Sequence, residues 1–274
     1  LEPGLIRRRS TKSSMKSIAR DQDAGLYRIV AFLTGSKNAL KGAGFFIGAV
    51  LLSWLEFQGA IAVMVAMLSV VWLMSLLLLR QELGVMKAKP KFSQIFSKSE
   101  AVNRLSLARF FLFGARDVWF VVALPVFLHE VLGWDFWQVG GYLAAWVMIY
   151  GMIQAAAPKL TGRSQAPDVV GRQLVVFGGC LALTPAAIGV ALSYGLSPVF
   201  VVTVGLLIFA LLFAMNSALH SFLIVRFARD EGASLDIGFY YMANAGGRLA
   251  GTVGSGALYQ WMGLEACLWV SAGL

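Results

Sequence analysis

The sequence ARFFLFGARDVWFVVALPVFL, residues 108–128, decides the class of this protein, because a long apolar run here carries Arg109, Arg116 and Asp117. Similar apolar runs recur along the 274 residues, of which 58% are hydrophobic and 14% are charged, and the mean hydropathy is +0.73. Soluble domains are about 45–50% apolar and about 25% charged. The composition therefore excludes a soluble enzyme and a disordered chain, and it predicts a polytopic membrane protein.

The apolar runs predict an all-α fold with seven complete membrane-spanning helices and part of an eighth. The predicted spans are roughly 27–55, 59–79, 105–128, 137–157, 173–194, 198–225 and 237–262, followed by a run from 266 onward. Helices are expected because a helix satisfies its own backbone hydrogen bonds in lipid. The last run has nine residues, whereas a spanning helix needs about 20. Since the chain also begins at Leu1 in polar sequence, we expect a fragment of a longer membrane protein.

The positions of the 23 lysines and arginines predict the orientation in the membrane. Seven lie in 1–28, six in 80–104, three in 158–172 and two in 226–229, whereas the alternate connections contain none. Cytoplasmic loops carry the excess of basic residues in membrane proteins. We therefore predict that residue 1 and every second loop are cytoplasmic. The net charge of +9 is explained by topology, and a nucleic-acid partner is not expected.

The longest connection, residues 80–104, is basic and amphipathic, as is typical of the hinge between two halves of a transporter. On this basis residues 1–79 are predicted to be the end of an N-terminal helical half, with two membrane helices. Residues 80–104 are the central cytoplasmic loop. Residues 105–274 are a C-terminal helical half that is incomplete at its end.

Six ionisable residues lie inside the predicted spans: Lys37, Lys41, Arg109, Arg116, Asp117 and Arg248. A lysine or arginine at the centre of a spanning helix costs about 2.5–3.5 kcal/mol on insertion scales, so such residues are expected to face a cavity or a partner. At about 1.5 Å per residue, Lys37, Arg116 and Arg248 each lie about 15 Å from the cytoplasmic end of their span. Arg109 is closer to that end and is expected to extend to the cytoplasmic interface.

Helical spacing places these charges on faces shared with other polar residues and with glycines. The four faces are Thr34–Lys37–Lys41–Gly44–Gly48, Arg109–Phe113–Arg116–Phe120, Tyr240–Asn244–Gly247–Arg248–Gly251 and Asn216–His220. Because five cations accompany one carboxylate, and glycines permit close helix approach, we predict a central cavity for a small anion. The candidate substrate-binding residues are Lys37, Asn38, Lys41, Arg116, Asn216, Tyr240, Asn244 and Arg248. Candidates for ion pairing or coupling are Asp117, Arg109 and His220.

Plainer interpretations of the same residues are open at this point. Arg116 and Asp117 can pair with neighbouring helices, and carboxylates of preceding helices can neutralise the two lysines. A histidine near a span end, such as His220, is more often an interfacial residue than a proton relay. Tyr240 and Tyr241 can belong to an aromatic belt.

The sequence contains no motif of nucleotide hydrolysis, peptide hydrolysis or metal binding, so neither a cofactor nor a metal is expected. Its two cysteines, Cys180 and Cys267, both lie in apolar stretches and do not indicate a disulfide framework. A membrane-embedded transferase would need a catalytic base or a carboxylate cluster. An enzyme is therefore not predicted.

Several long stretches carry a resemblance to a known family. They are LTGSKNALKGAGFFIG (33–48), ARFFLFGARDVWFVVALPVFL (108–128), GWDFWQVGG (133–141), NSALHSFLIV (216–225), SLDIGFYYMANAGGRLAGT (234–252) and YQWMGLEACLWVSA (259–272). Together they resemble the organoarsenical efflux permeases of the major facilitator superfamily, the J proteins of bacterial arsenic-resistance operons. The resemblance runs from about Ser10 to the end of the chain.

The resemblance implies the twelve-helix major facilitator fold, in which this chain would hold helices 5 to 11 and the start of helix 12. It implies location in the bacterial inner membrane and export of 1-arseno-3-phosphoglycerate. A glyceraldehyde-3-phosphate dehydrogenase that accepts arsenate makes this compound, so a functional link to that enzyme is implied. The implied mechanism is alternating access around a midplane site.

Three other functions and two energy sources are compatible with the residues. The protein can be a sugar-phosphate or phosphate exchanger of the same superfamily, an anion channel or, with less support, a membrane-embedded transferase. Export can be driven by the membrane potential, because each negative charge gains about 2.3 kcal/mol per 100 mV. Proton antiport through Asp117 is the other source.

Overall fold

The computed structural model describes residues 3–78, 99–161, 166–228 and 233–274, with side chains from residue 25 onward except that of Pro167. All regular secondary structure in these ranges is helical, which confirms the all-α prediction. The helices are α1 (Pro3–Leu78), α2 (Glu100–Phe120), α3 (Ala123–Glu130), α4 (Phe136–Leu160), α5 (Pro167–Ser193), α6 (Pro198–Phe227) and α7 (Ala233–Gly273). Residues 80–98 of the predicted central loop, 80–104, lie outside the described residues.

Helices α1 and α7 are each broken once, at the positions where the sequence predicts short connections. Glu56 has φ 56° and ψ −177°, and Gly263 has φ 73° and ψ −167°. A helix cannot continue through a residue with positive φ, and glycine adopts this conformation without the steric cost that a side chain brings. The breaks divide the predicted pairs 27–55 with 59–79, and 237–262 with the run from 266.

The predicted span 105–128 consists of α2 and α3, which are separated by a two-residue turn at Val121 and Val122. Pro125 explains this interruption. Proline lacks a backbone N–H, and its ring clashes with the carbonyl group four residues earlier, which here belongs to Val121.

Within the described residues, five helical segments are long and apolar enough to cross a membrane: Gly25–Leu78, Glu100–Glu130, Phe136–Leu160, Asp168–Ser193 and Pro198–Phe227. The first has 54 residues and contains two predicted spans, one on each side of Glu56. The predicted span 237–262 is helical but is not among the five, since Asn244, Arg248 and several glycines lower its hydropathy. The chain is a multi-pass membrane protein.

The helices pack most extensively in two pairs, α1 against α4 and α2 against α7. Aromatic rings fill the space between α2, α4 and α6. The Trp119 ring lies edge-on to Trp146 and Phe209, with centroids 5.8 and 4.9 Å away. This apolar cluster holds α2 and α4 at fixed positions on the two sides of α6.

Backbone contact between α1 and α4 depends on glycines. A Cβ atom on Gly151 would lie 2.5 Å from the backbone nitrogen of Ala39, and one on Gly35 would lie 2.5 Å from the Gly151 carbonyl oxygen. Close packing predicted at Gly44 and Gly48 is not found, because no described atom lies within 4 Å of a Cβ built at either. The close approach lies instead at other positions of the same helix.

The glycines predicted in α7 do allow close packing. A Cβ atom on Gly251 would lie 2.7 Å from the Gly114 carbonyl oxygen, and one on Gly247 would overlap the Phe110 carbonyl group. These contacts bring α7 against α2 at the level of the intramembrane charges. Arg248 and Asp117 are thereby placed within reach of each other.

The predicted orientation is testable by cysteine labelling. In the complete protein, with Cys180 changed to serine and Cys267 to alanine, Lys91→Cys is expected to react with an impermeant maleimide only from the cytoplasmic side. Val131→Cys is expected to react only from outside, since Val131 is exposed in the connection between α3 and α4. Labelling of Lys91→Cys from outside intact cells would contradict the predicted orientation.

Candidate functional site

A cavity of about 260 Å³ lies among α1, α2, α4 and α7. Most of the charged and amide residues predicted from the sequence line it. The polar lining residues are Thr34, Lys37, Asn38, Lys41, Arg109, Arg116, Tyr150, Gln154, Ser221, Tyr241, Asn244 and Arg248. Phenylalanines and aliphatic side chains form the rest of the wall.

The cavity is strongly positive. Lys37 and Lys41 come from α1, Arg109 and Arg116 from α2, and Arg248 from α7. Asp117 is the one carboxylate paired with any of these cations in the part of the chain that the structure describes. Four positive charges are therefore uncompensated by described residues, which is electrostatically favourable only if an anion or water occupies the cavity.

Asp117 joins two of the arginines. Its carboxylate is fully buried and accepts hydrogen bonds from Arg116 Nε at 2.6 Å and from Arg248 Nε at 2.9 Å. Arg116, Asp117 and Arg248 thus form an ion-paired cluster that joins α2 to α7. Arg116 Nη2 also contacts Asp117 Oδ1, so the shared carboxylate holds one edge of the Arg116 guanidinium and the Nε end of Arg248, and it keeps both groups at the cavity wall.

Arg109 does not extend to an interface, so that prediction is wrong. Its side chain is only 5% exposed and donates to the backbone oxygen and Oγ of Ser217, at 3.4 and 3.0 Å. The guanidinium carbon lies 4.1 Å from the centroid of the Phe113 ring and 5.2 Å from that of Tyr240. Arg109 turns inward because Ser217 of α6 offers it neutral acceptors, and Phe113 of α2 and Tyr240 of α7 offer it aromatic faces.

A buried hydrogen-bond network connects α1 to α4 and α6. Asn38 Nδ2 donates to Gln154 Oε1 at 2.6 Å and to the Tyr150 hydroxyl at 3.1 Å. Gln154 Nε2 donates to Ser217 Oγ at 3.3 Å, and the Tyr150 and Ser217 hydroxyls are also 3.3 Å apart. Ser217 in turn binds Arg109, so the network extends from α1 to the cavity arginine of α2.

The sequence analysis missed Tyr150, Gln154 and Ser217. The available signal was Gln154, the only amide between Tyr142 and Ala157 in a run of apolar residues. A buried amide needs hydrogen-bond partners, and this requirement would have pointed to a polar partner on another helix. Ser217 gave no such signal, because serine is common in membrane helices.

Residues 26–252 of the chain match the family model of the Major Facilitator Superfamily. The chain belongs to this superfamily. No curated protein sequence matches the chain closely enough to count as a relative. The superfamily consists of transporters and not of enzymes, so the cavity is part of a major facilitator transporter embedded in a lipid bilayer.

The architecture of the superfamily relates the cavity to the two halves of a transporter. Major facilitator proteins are built from two helical halves, with the substrate site near the bilayer midplane where the halves meet. The predicted division of this chain puts α1 in one half and α2 to α7 in the other. With this predicted division, we expect the lysines of the cavity to belong to one half and its arginines to the other.

Four predicted site residues do not line the cavity: Asp117, Asn216, His220 and Tyr240. Tyr240 lies behind Arg109, and Tyr241 lines the cavity in its place. Tyr240 is 1% exposed, which excludes the aromatic-belt interpretation for this residue. Asn216 and His220 lie instead on a second cavity of about 450 Å³, whose other lining residues are mostly apolar and come from α2, α5, α6 and the C-terminal end of the chain.

The two cavities lie on different faces of α6. Ser217 and Ser221 of this helix face α2 and α4, so Asn216 is turned toward α5, where it donates to the Leu174 carbonyl oxygen at 3.4 Å. His220 is buried within the bundle. Among the described residues, no group of three histidine, cysteine or acidic side chains is arranged to hold a metal ion.

Proposed function

We propose that this major facilitator transporter exports an organic anion, and that the anion is 1-arseno-3-phosphoglycerate. The observation that carries the proposal is the set of five cations around one cavity, for which the described residues supply a single partnered carboxylate. A strongly anionic substrate compensates this charge. The resemblance to organoarsenical efflux permeases supports the choice of substrate.

In this proposal, Arg116 and Arg248 hold one oxyanion of the substrate, and Lys37 and Lys41 approach it from α1. Guanidinium groups suit phosphate and arsenate because the planar fork donates two parallel hydrogen bonds. Lysine supplies charge without that geometry, so Lys37 and Lys41 attract the anion but do not fix its orientation. Asn38 and Asn244 supply hydrogen bonds at the wall.

The rest of the proposed physiology follows from that substrate. The protein resides in a bacterial inner membrane, confers arsenate resistance and depends on a glyceraldehyde-3-phosphate dehydrogenase that makes the arsenate ester. Export down a negative-inside potential is favourable for an anion. Proton antiport through Asp117 is the alternative energy source, and the presence or absence of proton movement during transport distinguishes them.

The test uses everted membrane vesicles containing the complete protein. Vesicles supplied with the dehydrogenase, glyceraldehyde 3-phosphate, its nicotinamide cofactor and arsenate are expected to accumulate arsenic, and omission of the dehydrogenase is expected to stop this. Equal accumulation without the dehydrogenase would contradict the proposed substrate. Stimulation by phosphate on the opposite side would favour the sugar-phosphate or phosphate exchanger instead.

The proposal predicts a specific effect of Arg116→Lys. The variant keeps the charge but loses the planar fork, so the half-saturation concentration is expected to rise about tenfold to hundredfold, the value of one charge-assisted hydrogen bond. Arg104→Lys on the same helix is the matched control, because Arg104 is exposed and pairs only with Glu100. An unchanged half-saturation concentration in Arg116→Lys would remove Arg116 from the site.

A further inference from the structure

Arg109 differs from the other two cavity arginines in its partners. Arg116 and Arg248 share the carboxylate of Asp117, whereas Arg109 is bound only by the neutral oxygens of Ser217. In the described ranges no carboxylate pairs with Arg109. A buried guanidinium without a counter-ion is costly unless a ligand supplies the negative charge.

The Arg109 guanidinium is also incompletely hydrogen-bonded. Its Nε is buried and has no acceptor among the described residues, although the side chain is 95% buried and lines the cavity. The bonds to Ser217 use Nη1 alone. N–H donors of the Arg109 guanidinium are therefore available to a ligand, because the described residues provide no acceptor for them.

The neutral network holds this guanidinium in place. Ser217 Oγ accepts hydrogen bonds from Arg109 and from Gln154, and Gln154 accepts one from Asn38 of α1. Phe113 supports one face of the guanidinium at 4.1 Å. Since all of these groups are uncharged, they orient Arg109 without neutralising it.

Arg109 and Arg116 lie on the same face of α2. They are seven positions apart, which corresponds to about 10 Å along the helix axis. The Phe113 ring lies between them, with guanidinium carbons at 4.1 and 4.8 Å from its centroid. The cavity wall therefore offers two cationic points with an aromatic spacer.

We propose that Arg109 forms a second anion subsite, separate from the Arg116–Asp117–Arg248 cluster, and that Gln154 and Ser217 are its positioning residues. The ligand class is then a short organic molecule with an oxyanion group at each end, lying along α2 across Phe113. This inference rests on the proposed function and narrows its substrate class. A molecule with one arsenate end and one phosphate end belongs to the class.

The test compares ligands that differ in the number and spacing of their anionic groups. The purified complete protein in lipid nanodiscs is titrated by calorimetry with glycerol 3-phosphate, glycerol 1,3-bisphosphate and inorganic pyrophosphate. The bisphosphate is expected to bind at least tenfold more tightly than both others. Pyrophosphate controls for charge, because its two phosphoryl groups are too close together to reach both subsites.

Variants assign the second subsite to Arg109. Arg109→Gln is expected to reduce the affinity for the bisphosphate about tenfold to hundredfold and to leave that for glycerol 3-phosphate nearly unchanged. Gln154→Leu is expected to do the same to a smaller extent, and Arg104→Gln to change neither. If Arg109→Gln does not fold, Arg109→Lys replaces it, with a smaller loss that is again selective for the bisphosphate.

The possible failures are distinguishable. If the wild type binds the bisphosphate no better than pyrophosphate, or if Arg109→Gln weakens all three ligands equally, the second subsite is overturned while the proposed function stands. If the protein binds none of the three anions, the proposed function fails and this inference fails with it.

Discussion

Replacing Gly151 by valine is expected to prevent the protein from reaching its folded, transport-competent state. A Cβ atom at this position would lie 2.5 Å from the Ala39 nitrogen and 2.6 Å from the Gly35 oxygen, so α1 and α4 would have to separate. Overpacking of side chains costs about 1–3 kcal/mol. The cost is expected at or above the upper end here, because backbone atoms cannot rotate away.

Gly141→Val is the matched control in the same helix, since no described atom lies within 4 Å of a Cβ at Gly141. The measurements are the yield of monodisperse protein after membrane extraction, its thermal unfolding and its transport rate. We expect Gly151→Val to lose most of the yield and all transport, and Gly141→Val to resemble the wild type. Similar yields for both variants would show that the close approach of α1 to α4 is not required.

Replacing Asp117 by asparagine is expected to lower the thermal stability of the protein, with the second largest effect after Gly151→Val. Asp117 is fully buried between Arg116 and Arg248. The amide of asparagine has one acceptor oxygen, and its NH₂ group would face a guanidinium donor. Breaking a buried ion pair costs about 3–5 kcal/mol. The lower end is expected, because the Arg248 side chain is 47% exposed and water screens it.

The double variant Arg116→Gln with Asp117→Asn separates structure from transport. Removing both charges together is expected to restore much of the thermal stability lost in Asp117→Asn, because no uncompensated charge is added. Transport is expected to remain impaired, since the substrate loses its Arg116 contact. Recovery of transport with an unchanged half-saturation concentration would mean that Arg116 serves only as the ion-pair partner of Asp117.

The helices and their breaks were predictable from the sequence because the bilayer limits what a chain can do. Backbone groups in lipid must be satisfied within one helix, so each apolar run had to be helical. Short connections at 56–58 and 263–265 interrupt those runs, and the structure breaks α1 and α7 there. The span 237–262 is also helical, although its hydropathy is low. The low hydropathy arises because polar residues of this span face a cavity.

The clustering of the charged side chains around one cavity was partly predictable from the sequence. Lys37, Arg116 and Arg248 were expected at one depth, and all three line the same cavity. The directions in which Arg109 and Asn216 point were not predictable, because they depend on how α2 and α6 are rotated against their neighbours. Aromatic packing around Trp119 and the serines of α6 set that rotation.

The sequence by itself determined the all-α membrane fold, the break points and the excess of intramembrane cations, because hydropathy and helical spacing are local properties. The tertiary structure alone decided which cations share a carboxylate and which keep an uncompensated charge. Asp117 binds Arg116 and Arg248, whereas Arg109 is bound by Ser217 through a network that starts at Asn38. These pairings require contacts between helices far apart in the chain, and helix packing at glycines such as Gly151 and Gly251 brings those helices together.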